Sequence, residues 1–293
     1  MEDISQKIQE RATELGFIAL GVTYTLPQDT YYFEKWLASG FNGQMSYLER
    51  HLPVRKNPEN LLKDAKSIIV VAHPYTFPAE DEINPFIARY SRGIDYHIVI
   101  KEKLDLLAQY IKELIPTLNF RTFVDTCPLD ERQLAVQAGI GKIGKNGLVY
   151  LGDYGSAIHL GEIITDIELS ISISDDDILD CGNCTLCIDN CPSNAMRDEN
   201  NLCIAKDCYA YKTIELRDEE IDVDGEYIFG CDICQRCCPH NSDFFPLPQD
   251  RSALERFIQL SEDEFNVRFK HSPLLRAGYK KLISQAKKKL LLP

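Results

Sequence analysis

The chain has 293 residues, 44% of them hydrophobic and 26% charged, which is enough to bury a substantial core. A net charge of -13 disfavours a polyanion partner for most of the surface, and no apolar run approaches the length of a membrane span. Residues 1–16, mixed in acids and amides, predict an amphipathic helix unlike a secretory leader, so a soluble cytoplasmic protein, monomeric and off the membrane, is expected.

In chain order, apolar runs over residues 17–22, 67–73, 120–124 and 158–164 predict strands. Between them, residues 97–114 carry Val99, Leu104, Leu107 and Ile111 near helical period, and residues 129–138 form a second helical pattern. This alternation predicts an α/β (α+β) domain over residues 1–174. The acidic run 174–177 precedes a cysteine-rich module at 175–245, and residues 246–293 form a basic helical segment. From residue 251 onward there are ten Lys/Arg against four Asp/Glu. Lys280, Lys281 and Lys287, Lys288 and Lys289 can meet phosphates, or they form a solvated helix face beside Leu282, Leu290 and Leu291.

Two local motifs in the first domain bear on chemistry. Asp125 stands where a strand ends and Pro128 opens a helix, so it either faces a ligand as an acid or caps that helix. Asp130, three before Gln133, is a cap. The run Gly139-Ile140-Gly141-Lys142-Ile143-Gly144-Lys145-Asn146-Gly147 matches G-x-G-x-x-G, but a dinucleotide loop leaves a strand and enters a helix, and here the order is reversed. A phosphate-binding G-x-x-x-x-G-K-[ST] fails at Asn146, where a hydroxyl is needed. The run predicts a loop at a helix C-terminus whose backbone lies close to a large ligand.

Cys181, Cys184, Cys187 and Cys191 with Pro192 form C-x2-C-x2-C-x3-C-P, the ligand run of a bacterial ferredoxin module. Cys231, Cys234 and Cys238 with Pro239 repeat its ending, leaving Cys237 spare. In two-cluster modules the cysteine before the proline ligates the other cluster. One [4Fe-4S] cluster therefore takes Cys181, Cys184, Cys187 and Cys238, and the other takes Cys191, Cys231, Cys234 and one of Cys203 and Cys208. Zinc ribbons do not space ligands as a triple run closed by proline, and ten of 11 cysteines between residues 181 and 238 of a leaderless chain argue against a disulfide framework.

Val124-Asp125-Thr126, Glu131-Arg132, Ala138-Gly139-Ile140-Gly141, Ile143-Gly144-Lys145-Asn146 and Leu160-Gly161-Glu162-Ile163 occur in order with Arg89-Tyr90-Ser91-Arg92-Gly93, Asp95-Tyr96-His97 and the crossed cysteine runs. Cys208 with Thr213-Ile214-Glu215-Leu216, Gly230-Cys231-Asp232-Ile233-Cys234-Gln235 and Ser272-Pro273-Leu274-Leu275-Arg276 extend the pattern, which over residues 10–285 resembles epoxyqueuosine reductase.

The resemblance implies a cobalamin-dependent enzyme, related in fold to reductive dehalogenases and nitroreductases, that reduces the epoxide of epoxyqueuosine in the tRNA wobble nucleoside. Its partners would be that tRNA and a low-potential electron donor. It selects Cys208 over Cys203 as the remaining ligand and makes Asp125 the proton donor, with a carboxyl pKa raised by burial beside the corrin. It places Arg55, Gly141, Ile143, Gly144, Lys145 and Asn146 around the cobalamin, and it leaves His97 as a packing or capping residue, not a cobalt ligand.

The sequence departs from the family at Cys127, either a small buried hydrophobe or a cofactor contact, and at His240 and Lys142, where tryptophan is frequent. With no helical-repeat extension after Pro293, RNA contact is expected to rest on the cobalamin domain, the cluster module and the basic segment. A small-molecule corrinoid reductase of the dehalogenase kind is the alternative, but it usually carries a twin-arginine export signal absent here. A bare ferredoxin-type carrier leaves Asp125 and the glycine run without a role.

Overall fold

In the computed structural model, which describes residues 2–25, 28–75, 83–171, 180–197, 202–216, 225–241 and 251–291, the chain opens with α1 (Glu2–Glu14) and β1 (Ala19–Tyr24). Three short helices follow, α2 (Tyr31–Ala38), α3 (Tyr47–Arg50) and α4 (Leu52–Lys56). Then come β2 (Ser67–Pro74), α5 (Tyr96–Leu114), β3 (Phe120–Phe123), α6 (Glu131–Gln137), β4 (Lys142–Ile143), β5 (Val149–Tyr150) and β6 (Ile158–Thr165). The four predicted strands are all present and form one sheet in the order β1-β2-β6-β3.

That sheet is antiparallel at every pairing, the α+β form of the expected class. An unbroken apolar strand such as β2 commonly marks a parallel sheet, but what it requires physically is cover on both faces. Ile69 and Val71 point into a core with Ile8, Leu104, Leu107 and Ile111 of α1 and α5, while Ile68, Val70 and Ala72 meet Leu134 and Ala135 of α6. Each of the Ile, Leu and Val side chains contributes about 1.5–3 kcal/mol by leaving water, and the two alanines less. Gly161 lets α5 lie close on β6, since a Cβ there would stand 2.8 Å from Leu104 Cδ1 and displace that side chain.

The cysteine module contains α7 (Leu186–Asp189), the hairpin β7 (Met196–Arg197) and β8 (Leu202–Cys203), α8 (Tyr209–Ile214) and α9 (Ile233–Arg236). Three buried polar residues fasten it to the sheet domain. Gln235 donates to the Ser156 carbonyl at 2.8 Å, and Asn241 accepts the Ser156 N–H at 2.8 Å while donating to the Gln235 carbonyl at 2.8 Å. The acidic run 174–177 and the expected boundary near residue 245 lie outside the described residues.

The C-terminal segment comprises α10 (Ser252–Phe257), α11 (Glu262–Arg268) and α12 (Tyr279–Leu291). It is no loose basic tail: Leu254, Phe257, Phe265, Leu274 and Leu282 share a second core with Ile83, Phe86 and Ile87 before α5 and with Ile228 and Phe229 before α9. A backbone bond from the Asp95 N–H to the His271 carbonyl, 2.6 Å, ties this segment to the start of α5. Among the described residues no helix is long and apolar enough to cross a membrane.

Candidate active site and cluster module

β3 delivers Asp125 to a loop in which its backbone takes φ 53°, the left-handed region that Asp tolerates better than most side chains. The Asp125 N–H donates to Glu131 Oε1 at 2.6 Å, which holds this conformation. Helix capping is not its task. Asp130 is the N-cap of α6, accepting from the Gln133 N–H at 3.4 Å as expected.

The Asp125 carboxylate, 48% exposed, accepts from Tyr96 Oη at 3.3 Å and meets His97 Nε2 at 3.1 Å. Asp95, the N-cap of α5, accepts the His97 N–H at 2.9 Å and holds His97 Nδ1 at 2.7 Å. Burial favours neutral imidazole, but hydrogen bonds and charge from Asp125 and Asp95 outweigh it and lift the ring to about 9. Asp125 differs from the expected raised carboxyl. Burial does push it up, yet the His97 hydrogen bond and charge, with Arg276 and Tyr96, hold it below the ordinary range. The proton sits on His97 and the charge on Asp125. On the other side of Tyr96, His159 stacks at 4.2 Å and 11°, and burial pulls it down to about 3, so it stays neutral.

Behind this trio lies a carboxyl pair. Glu162 of β6 shares a sheet face with Leu160 and Ile164, is fully buried, and receives no ordinary donor at either oxygen among the described residues. Its neighbour is Glu131 of α6. Two carboxyl groups attract only when one is protonated. Burial and then the Glu131 charge keep Glu162 well above the usual range, and burial with the Asp125 charge pushes Glu131 up to about 7.

Cysteines of the two runs lie within electrostatic reach of one another, though among the described residues no three of them close up into a metal-binding group. Cys187 has Cys181 and Cys238 as electrostatic neighbours, together with Cys237, while Cys231 has Cys208 and Cys191, and Cys234 has Cys231 and Cys208. Cys237 lies between the groups, beside Cys184, Cys191 and Cys238. Cys203 donates to Cys208, which also receives backbone N–H groups from Tyr211 and Ala210. Within this hydrogen-bonded pair the Cys208 thiol is lowered, first by the bond from Cys203, and Cys203 is raised. Arg132, adjacent to Glu131, is within electrostatic reach of Cys203.

The model of the family "Epoxyqueuosine reductase QueG, DUF1730" matches residues 55–126, and that of the "4Fe-4S double cluster binding domain" matches residues 180–241. An epoxyqueuosine reductase from Cyclobacterium marinum is 36% identical over 95% of this chain and 94% of its own length. The chain belongs to the epoxyqueuosine reductase family. Among solved structures, an epoxyqueuosine reductase with an epoxyqueuosine-modified tRNA-Tyr stem loop superposes with a TM-score of 0.83 at 29% identity, covering 99% of this chain and 81% of that one. The Bacillus subtilis enzyme, described with a catalytic aspartate loop swung out of its active site, gives 0.80 at 28% identity, over 99% of this chain and 81% of its own.

Several residues expected to contact cobalamin in this family have internal partners here. Arg55, only 12% exposed, pairs with Asp130 at 3.2 Å and lies over Phe33, so its guanidinium joins α4 to the cap of α6. Ile143 packs on the α6 core. Gly141 and Gly144 accommodate Tyr150, and the Asn146 side chain is engaged by Tyr150 and Leu148. Lys145 is half-buried. Cys127 is a core residue whose thiol burial pushes up to about 12, with the Glu162 charge adding to it.

The basic segment divides in the same way. Lys281 donates to the Ile214 and Leu216 carbonyls at 2.9 and 2.8 Å, and Lys289 is buried over the Tyr209 ring. Lys280 and Lys287 are exposed. A cleft of about 800 Å³ is lined by Tyr47, Glu215, Arg276, Tyr279, Lys280 and Lys281, and its Tyr47 and Arg276 lie within electrostatic reach of Asp125.

Sequence reasoning missed His97 as a partner of Asp125 and gave no role to Glu131, Glu162 or Tyr150. The Asp95-Tyr96-His97 and Leu160-Gly161-Glu162-Ile163 motifs were visible, and a glutamate in the middle of an apolar strand was the available signal for the buried pair.

Proposed function

We propose that this protein reduces epoxyqueuosine to queuosine in the anticodon wobble position of tRNA, with two [4Fe-4S] clusters passing electrons to a bound cobalamin. The conversion takes two electrons and two protons and releases the epoxide oxygen as water. Support comes from family membership, from the aspartate loop described for the Bacillus subtilis relative, and above all from the Asp95-His97-Asp125 trio. That trio carries a proton beside a half-exposed carboxylate, where a leaving oxygen can reach it.

The thiolate-rich donor set fits iron-sulfur clusters: Cys181, Cys184, Cys187 and Cys238 hold one, and Cys191, Cys208, Cys231 and Cys234 the other. Clusters that hand on single electrons need an acceptor beside Asp125 that can pass them to a substrate carbon, which suits a redox cofactor of the corrinoid kind. Cobalamin would supply a strongly reducing cobalt centre for the epoxide carbon. The backbone of residues 141–146 would lie against it, in a domain spanning residues 1–174 of the reductive-dehalogenase type.

His97 hands its proton to Asp125, Asp125 delivers it to the departing oxygen, and Asp95 keeps the ring oriented. Arg276, Lys280 and Lys287 offer charge to the RNA backbone. A low-potential electron donor and a monomeric cytoplasmic enzyme complete the proposal.

The test is nucleoside analysis of tRNA in a deletion strain that accumulates the epoxide. Wild-type protein restores queuosine. Asp125→Asn, at equal iron and corrinoid content, is expected to lower turnover by about 10²–10⁴-fold. Wild-type turnover in the variant would remove Asp125 from the chemistry, and failure of the wild type to restore queuosine would remove the function.

A further inference from the structure

The glycine run closes on a protein side chain. A Cβ at Gly141 would lie 2.0 Å from the Tyr150 carbonyl oxygen, and one at Gly144 would lie 2.2 Å from Tyr150 Cε2, so at both positions only glycine leaves room for Tyr150. The ring is 6% exposed, and His240 meets it edge-on at 5.9 Å.

The hydroxyl of that ring is oriented by its surroundings. Asn146, itself buried, accepts the Leu148 N–H on Oδ1 at 3.1 Å, which decides which way its amide faces. Nδ2 therefore donates to Tyr150 Oη at 2.7 Å. Ser156, anchored by Gln235 and Asn241 of the cluster module, approaches the same oxygen. With its oxygen accepting, the phenol has one proton left to give, and Cys238 Sγ stands 3.3 Å away.

We propose that Tyr150 is a tuning and positioning residue for the iron-sulfur cluster ligated by Cys238: its O–H bond to the ligand sulfur raises that cluster's reduction potential, and Gly141 and Gly144 leave room for it. The physical basis is charge. Reduction adds an electron that is shared with the thiolate sulfurs, so a hydrogen bond to sulfur stabilises the reduced cluster more than the oxidised one. The inference rests on Cys238 being a cluster ligand and not on the identity of the substrate.

Anaerobically reconstituted holoprotein, titrated potentiometrically with EPR detection, tests it. In Tyr150→Phe, with iron and sulfide at the level of two four-iron clusters, one cluster should become harder to reduce by about tenfold in its equilibrium constant, about 59 mV for a one-electron couple. The other should not move. Asn146→Ala keeps the phenol but weakens its polarisation, and should shift the same cluster the same way by less; it decides the matter if Tyr150→Phe does not retain its iron. Unmoved potentials, or both clusters moving equally, would overturn the role of Tyr150. Wild-type protein that binds less iron than two clusters require would instead overturn the ligand assignment.

Discussion

His97→Gln removes the cation between Asp95 and Asp125 while keeping a hydrogen-bond donor. In the intact site both ring nitrogens face carboxylates, at 2.7 and 3.1 Å, and a neutral imidazole has only one N–H to offer them. The ring therefore takes a second proton and keeps it up to about 9, against an ordinary 6.5. At about 1.4 kcal/mol per pH unit this is a gross preference of roughly 3 kcal/mol for the charged ring. Water screens the share of Asp125, which is 48% exposed, and about 1–2 kcal/mol is the expected net stabilisation. Because the folded pKa is raised, that stabilisation is complete below 6.5 and disappears as pH climbs through about 9. Anaerobic melting of the holoprotein at neutral pH should fall by roughly 2–6 °C in the variant, and the gap to wild type should close in more alkaline buffer. Wild-type turnover should decline over the same alkaline window, as the imidazolium proton is lost. A melting gap independent of pH, together with full activity above the His97 transition, would refute the charged trio.

The carboxyl pair and the lysines carry two further predictions. Glu131 is raised to about 7, so its protonated form stabilises the fold fully below 4.5 and that contribution is lost as pH rises through about 7. Glu162→Gln presents an N–H to Glu131 in place of the shared proton, and its melting temperature should depend less on pH across that window than the wild type's; equal slopes would dismiss the pair. Lys281→Met abandons two backbone carbonyls at the end of α8 and should cost about 1–3 kcal/mol. Lys280→Ala with Lys287→Ala should change stability by about 0.5 kcal/mol or less each, yet weaken tRNA binding and reduce its salt slope by about one for each phosphate no longer neutralised. Salt titration of tRNA affinity, with melting curves, checks both, and the reverse pattern would reassign the lysines.

Strands, the helices predicted over residues 97–114 and 129–138, the Asp130 cap and the double-cluster cysteine motif were legible in the sequence because each is a local matter: a strand repeats every two residues, a helix every 3.6, and cysteines two or three residues apart wrap one face of a cubane. The acid site was half legible. Its carboxylate could be named from the end of a strand, and burial alone pointed to a raised pKa. The sign was decided by His97 and Arg276, which come from α5 and the C-terminal segment. The antiparallel order, the Glu131 and Glu162 pair, the core shared by residues 83–87 with the last helices, and the phenol of Tyr150 at a sulfur 88 residues away all required the tertiary structure. Such contacts join residues that no period connects, and a pKa is set by whichever charges the fold brings to the group.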